Sequence, residues 1–174
     1  MIKIKKEIKL ISMSAVFSAL IVVFTLLGTF IDILDFTVAA ICSFTVCIVV
    51  LEAKNKYAFM VYLASSALCL IFVPLSTATL YFVAFFGYYP ILKLYVSKLP
   101  KVIQRIICIA VFNITMALIM LLFKVVFALQ NEPYYIYLLL LAALNLFFLC
   151  FDRVFDIFPY LYIKKIRNKI KFML

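Results

Sequence analysis

The sequence predicts an all-α integral membrane protein: a bundle of six transmembrane helices with both N- and C-termini in the cytoplasm. Three observations lead there. The composition is far too apolar for a water-soluble surface. The apolar residues fall into six runs, each long enough to cross or nearly cross a bilayer. The basic residues are confined to alternate ends of those runs.

The 174-residue chain is 70% hydrophobic and 14% charged, with a mean hydropathy of +1.27. A soluble domain must clothe itself in polar side chains, and there are too few here to do so. The solvent is therefore lipid, in which a helix of roughly 20 apolar residues spans the hydrocarbon core.

Met1–Lys9 is a short basic segment carrying Lys3, Lys5, Lys6 and Lys9. Leu10–Phe30 is the first span. It resembles the apolar run of a signal peptide, but it is too long for one and no small-residue cleavage pattern ends it, so an uncleaved helix is expected. Ile31–Asp35 is a tight acidic loop with Asp32 and Asp35. Phe36–Leu51 is the second span. Its β-branched residues would hint at a strand in water, but a lone strand in lipid leaves its backbone groups unpaired, so a helix is required. Glu52–Lys56 is a charged turn. Tyr57–Val73 is the third span, closed by Pro74.

Leu75–Leu92 is the fourth span, with a polar start at Ser76, Thr77 and Thr79. Near its end stand Gly87 and Pro90. Proline lacks an N–H and crowds the preceding turn, so a kink or a stop is expected there. Lys93–Arg105 reads as the longest internal loop, and Pro100 as the start of the next helix. The fifth span is 103–129, interrupted by Asn113 and Lys124. Gln130–Pro133 is a short polar loop. Tyr134–Phe151 is the sixth span, with Asn145 inside it. Asp152–Leu174 is a tail with early aromatics and five late basic residues, suited to an interfacial helix on an anionic leaflet. No linker or repeat divides the chain, so 1–174 reads as a single transmembrane domain.

The positive-inside rule orients the bundle. One set of ends holds the N-terminal lysines, Lys54, Lys56, Lys93, Lys98, Lys101, Arg105, Arg153 and the basic tail. The opposite loops hold Asp32, Asp35, Gln130, Asn131 and Glu132, and no lysine or arginine. Six spans place every basic cluster inside. The formal charge of +10 is thus a topology signal and no sign of nucleic-acid binding. The membrane expected is the plasma membrane of a prokaryotic-type cell.

Chemistry is sparse. There is no histidine, hence neither the commonest general base nor the commonest metal ligand. No phosphate-binding glycine loop, zinc-protease motif or nucleophile elbow is present. Asp152 and Asp156 share a helical face but lie at the membrane edge, where ordinary interfacial charge explains them. The five cysteines are odd in number, lie in apolar runs and form no CxxC pair, so they read as reduced small hydrophobes. No enzyme, cofactor or metal is expected.

Four residues are candidates for a ligand pocket: Lys124, Asn145, Tyr81 and Glu132. Lys124 is the one basic residue well inside a span. It either faces an anionic ligand group or snorkels to the outer headgroups, or pairs with Glu132. Asn113 and Asn145 either bond across helices or touch a ligand. Tyr81, like Tyr62, lies deeper than the interfacial tyrosines and either lines a pocket or belongs to an aromatic belt. Finally, Ser14, Ala15, Ser18 and Ala19 form a small-residue strip on the first helix. Such a strip lets another helix approach closely, within this chain or from a partner.

A short, very hydrophobic chain of six spans, cytoplasmic at both ends, with Ala15-x-x-x-Ala19 in its first helix, resembles the substrate-binding S component of an energy-coupling factor (ECF) transporter. The resemblance covers the whole chain as architecture, and its motif is the two alanines. It implies that Ala15 and Ala19, flanked by Ser14 and Ser18, dock on a shared transmembrane coupling subunit. It further implies capture of a vitamin-like micronutrient near the outer face, and two cytoplasmic ATPase subunits that drive uptake. The short outer loops depart from this pattern, leaving little material for a lid. Two other classes fit the same features: a membrane scaffold of the cell-shape type, similar to MreD, and a small secondary transporter working as a homodimer.

Overall fold

A computed structural model describes residues 2–30, 34–53, 55–74, 76–127 and 134–167. Among these residues the chain is all-helical. The helices are α1 (Ile2–Gly28), α2 (Asp35–Glu52), α3 (Asn55–Phe72), α4 (Thr77–Tyr81), α5 (Tyr89–Val96), α6 (Lys101–Phe127) and α7 (Tyr134–Leu161). A π-helical turn, Phe82–Phe86, joins α4 to α5 in one broken run, and a second one, Tyr162–Arg167, follows α7. Among the described residues five runs are long and apolar enough to cross a membrane: Glu7–Gly28, Asp35–Glu52, Asn55–Phe72, Thr77–Val96 and Lys101–Leu122. Large apolar side chains stand outward along them, among them Val16, Ile71 and Ile114, each roughly two-thirds exposed or more. Solvation by lipid explains such a surface.

The fold divides into two compact units, Met1–Gln104 and Arg105–Leu174. In the first, α2 is the central element, touching α1, α3, α4 and α5. Its sequence permits this. Ala39, Ala40, Cys42, Ser43, Val46, Cys47 and Val49 are all buried, and small or β-branched side chains placed all round a helix let neighbours approach on several sides. α1 packs against α3 and α2. Its buried positions Ser14, Ser18, Ile21, Thr25 and Gly28 recur at alternating four- and three-residue intervals, the spacing of one continuous helix face. At its far end a Cβ on Gly28 would sit 3.1 Å from Val38 on α2, so the glycine permits the close crossing.

The hydroxyls on this face are satisfied within their own helix. Ser14 donates to the Leu10 carbonyl at 2.8 Å, Ser18 to Ser14 at 3.0 Å and Thr25 to Val22 at 2.9 Å. Bonding back to the preceding turn lets small polar residues sit in an apolar bundle without an orphaned donor. Thr25 also lies 3.2 Å from the Cys69 sulfur on α3, tying the two helices side by side.

The break near Pro90 has a specific form. The Gly87 N–H skips the expected Val83 carbonyl and bonds Phe82 at 2.7 Å, making the wide turn. The Val83 carbonyl so released accepts the Tyr62 hydroxyl from α3 at 2.9 Å. The Tyr62 ring lies where a side chain at position 87 would be, with an ideal Cβ only 2.5 Å from its Cδ2. Pro90 then falls in the first turn of α5, where its missing N–H is no loss.

Two boundaries differ from expectation. The loop foreseen at Lys93–Arg105 is only 97–100, because α5 runs on to Val96 and α6 starts at Lys101. Lys93 therefore lies within α5, where it is buried, its ammonium 5.6 Å from the centre of the Tyr89 ring. A cation over an aromatic face is an attractive arrangement that a charge count alone does not foresee. The tail, expected as a separate interfacial helix, continues α7 without a break to Leu161. α7 is about 42 Å long at about 1.5 Å per residue, longer than a hydrocarbon core. Phe148, Phe151 and Phe155 are buried along it and Tyr162 just past its end, with Phe151 and Phe155 ring centres 5.6 Å apart. Asp152 is buried on the same helix whereas Asp156 is exposed.

Candidate ligand-binding site

The first unit carries a cavity of about 730 Å³ at one end of its helices, open on one side. The C-terminal ends of α1 and α3 and the N-terminal ends of α2 and α4 meet there, and the sequences that join these ends, 29–34 and 73–76, hold no lysine or arginine. By charge pattern this is the end the sequence places outside.

Each wall has a local cause. α1 contributes Leu26 and, just past its last residue, Thr29, whose hydroxyl donates to the Leu26 carbonyl at 2.6 Å. Asp35 opens α2, a favourable place for a carboxylate because the free N–H groups of a first turn carry partial positive charge. α3 stops at Phe72 because Pro74 disfavours helical geometry in Val73 before it, and all three side chains line the wall. Ser76 stands at the cap position of α4 with an extended backbone (φ −76°, ψ 132°), yet its hydroxyl makes no capping bond. The Ser76 Oγ is buried and has no hydrogen-bond partner among the described residues. Thr77 follows it on the wall. Among the described residues the cavity thus offers one carboxylate and three hydroxyls on an otherwise apolar lining.

The residues named from sequence are distributed differently. Tyr81 sits in the first unit on α4, half-buried, edge-on to Phe36 at 5.1 Å, and is not among the cavity's lining residues. Asn145 sits in the second unit, where it forms a reciprocal amide pair with Asn113. Asn113 Nδ2 donates to Asn145 Oδ1 at 2.9 Å, and Asn145 Nδ2 donates to Asn113 Oδ1 at 2.8 Å. Each amide also donates to its own helix, Asn113 to Ile109 and Asn145 to Leu141, both at 2.9 Å. Both N–H groups of Asn145 are thereby used. Phe112, one residue before Asn113, and Phe148, three after Asn145, stack at 4.4 Å and 13°. Lys124 lies on α6 with its side chain outside the described residues, and Glu132 lies outside them altogether.

The amide pair makes a quantitative prediction. Asn113→Leu or Asn145→Leu alone should destabilise the protein by about 1–2 kcal/mol, because the surviving amide is left unpaired away from water. The double variant should be no worse than either single one. Thermal unfolding of the three variants in detergent checks this, and strictly additive losses would refute the pairing.

The strip on α1 is split by the fold. Ser14 and Ser18 are buried within the bundle, whereas Ala15 and Ala19 are exposed. Advancing one residue on a helix turns the side chain by about 100°, so neighbours in sequence need not share a face.

The cavity residues were visible in the sequence only as fragments: Asp35 as an acidic loop residue, Ser76 and Thr77 as the polar start of a span. The signal that joins them is topological, since alternate loops of an antiparallel bundle meet at the same end. Comparison of the chain with protein-family models, with curated proteins and with solved structures finds no match.

Proposed function

We propose that this protein is the membrane-embedded substrate-capture subunit of an ATP-driven uptake transporter for a vitamin-like micronutrient. It lies in the plasma membrane of a prokaryotic-type cell. α7 makes the sixth crossing, and both termini are cytoplasmic. The chain is not an enzyme and carries no cofactor. It binds its small-molecule substrate at the outer end and docks through Ala15 and Ala19 on a transmembrane coupling subunit served by two ATPase subunits.

The observation that carries this reading is the cavity itself. It opens at the end whose connecting sequences hold no lysine or arginine, where a substrate arriving from outside would enter, and its volume is in the range of small-molecule sites. The exposed pair Ala15 and Ala19 lies in the half of the apolar span 10–30 nearest its basic end, where a cytoplasmically energised partner would engage. A chain with no nucleotide-binding motif needs such a partner to couple transport to ATP.

The test is gentle affinity purification from native membranes, followed by mass spectrometry of the associated proteins. Recovery of two ABC-type ATPases with a second membrane subunit is the expected result. Recovery of cell-envelope or cytoskeletal proteins instead would replace this reading by a scaffold of the cell-shape type.

A further inference from the structure

We infer that the molecule captured in the outer cavity is a small organic cation, an amine or ammonium compound with an apolar body. This rests on the capture reading above and names its substrate class. Among the described residues that line the cavity, Asp35 is the only charged one. No lysine or arginine is among the described residues that line it. The Asp35 carboxylate therefore favours a cation in the cavity over a carboxylate or phosphate.

The remaining lining sorts between kinds of cation. Leu26, Phe72, Val73 and Pro74 make the wall largely apolar. Calcium or magnesium needs six or more oxygen ligands and zinc a set of cysteine, histidine or carboxylate ligands, and one carboxylate with scattered hydroxyls supplies neither on such a wall. An organic cation matches it. Its charged nitrogen meets the Asp35 carboxylate, its body lies on the aliphatic wall, and Phe72 presents an aromatic face of the type that attracts ammonium groups. The Ser76 hydroxyl, buried on this wall without a partner among the described residues, accepts a further N–H. A hydroxyl held at a cap position without capping the helix is otherwise a wasted polar group.

The test uses three compounds that share a ring and differ in charge: phenethylamine, phenethyl alcohol and phenylacetate. Each is added to the purified chain in lipid nanodiscs, and binding is read as a rise in Tm. The amine is expected to stabilise the protein, and the alcohol and the acid are not. Asp35→Asn should weaken the amine's effect by about tenfold or more, the scale of a lost hydrogen bond to a charged group. Should Asp35→Asn fail to fold, Asp35→Glu, which keeps the charge, should retain amine binding, and Ser76→Ala should weaken it less than the loss of Asp35 would. Equal stabilisation by all three compounds, preference for the acid, an amine effect unchanged in Asp35→Asn, or stabilisation by none of the three each overturns the cationic assignment. None of these outcomes touches the co-purification of ATPases, which tests the capture reading separately.

Discussion

Gly87→Ala is expected to lower the stability of the purified protein by about 2–3 kcal/mol, the scale of overpacking a filled site. Helix propensity argues the other way, since alanine in place of glycine favours a helix by up to about 1 kcal/mol. The geometry decides. A Cβ at position 87 would lie 2.5 and 2.7 Å from two carbons of the Tyr62 ring and 2.9 Å from the Phe82 carbonyl oxygen. The ring cannot simply swing aside, because its hydroxyl holds the Val83 carbonyl that the wide turn releases. Displacing it would leave that carbonyl orphaned in an apolar setting, itself worth about 1–3 kcal/mol. Tyr62→Ala should therefore be destabilising alone, yet make the added Gly87→Ala much less harmful. Thermal unfolding of the four proteins gives the coupling directly. A neutral or stabilising Gly87→Ala in the otherwise native protein would show that the ring does not occupy this position.

Replacing both Ala15 and Ala19 by tryptophan is expected to abolish uptake and partner recovery while leaving ligand binding intact. The two alanines are exposed, whereas Ser14, Ser18 and Ile21 carry the buried face of α1. Bulk added at the exposed positions stays outside the bundle, and stability should change by no more than about 0.5 kcal/mol. A partner helix that relies on small residues for close approach would be held off by two indole rings. The control is the neighbouring pair. Ser14→Trp with Ser18→Trp forces the same rings into a packed face and should unfold the protein. Undiminished uptake in the alanine-to-tryptophan double variant would dispose of the docking role.

Much of the helical plan was legible because lipid imposes it. A long apolar run must be a helix, Pro74 ends one, and Gly87 with Pro90 breaks another; these follow from elementary backbone chemistry. The helix boundaries differ from the apolar runs where a charged residue lies inside a helix. Lys93 was assigned to a loop, yet its position over the Tyr89 ring lets α5 carry it inside. Asp152 and Arg153 marked the end of the last span, but a change of side-chain polarity does not stop a helix, and α7 continues past them to Leu161. The aromatic spacing from Phe148 to Tyr162 already held that information. The cavity was illegible for a different reason. Asp35 and Ser76 are 41 positions apart, and no local pattern says that their loops close over the same space. Nor does a small-residue strip reveal which members turn inward. That depends on the rotation of α1 about its axis, which its contacts with α2 and α3 determine.

The paired amides of α6 and α7 bear on how that hairpin assembles. Dispersion between apolar helices varies little as one slides or rolls against the other, so two greasy cylinders in hydrocarbon have many nearly equivalent settings. Asn113 and Asn145 remove that degeneracy. A slip of one residue would swing an amide out of reach and break both bonds of the ring together, with no water at hand to replace them. The hairpin thus has a single keyed register, chosen by two side chains rather than by the loop that joins the helices. Variation in that loop's length should be tolerated as long as the key can still turn.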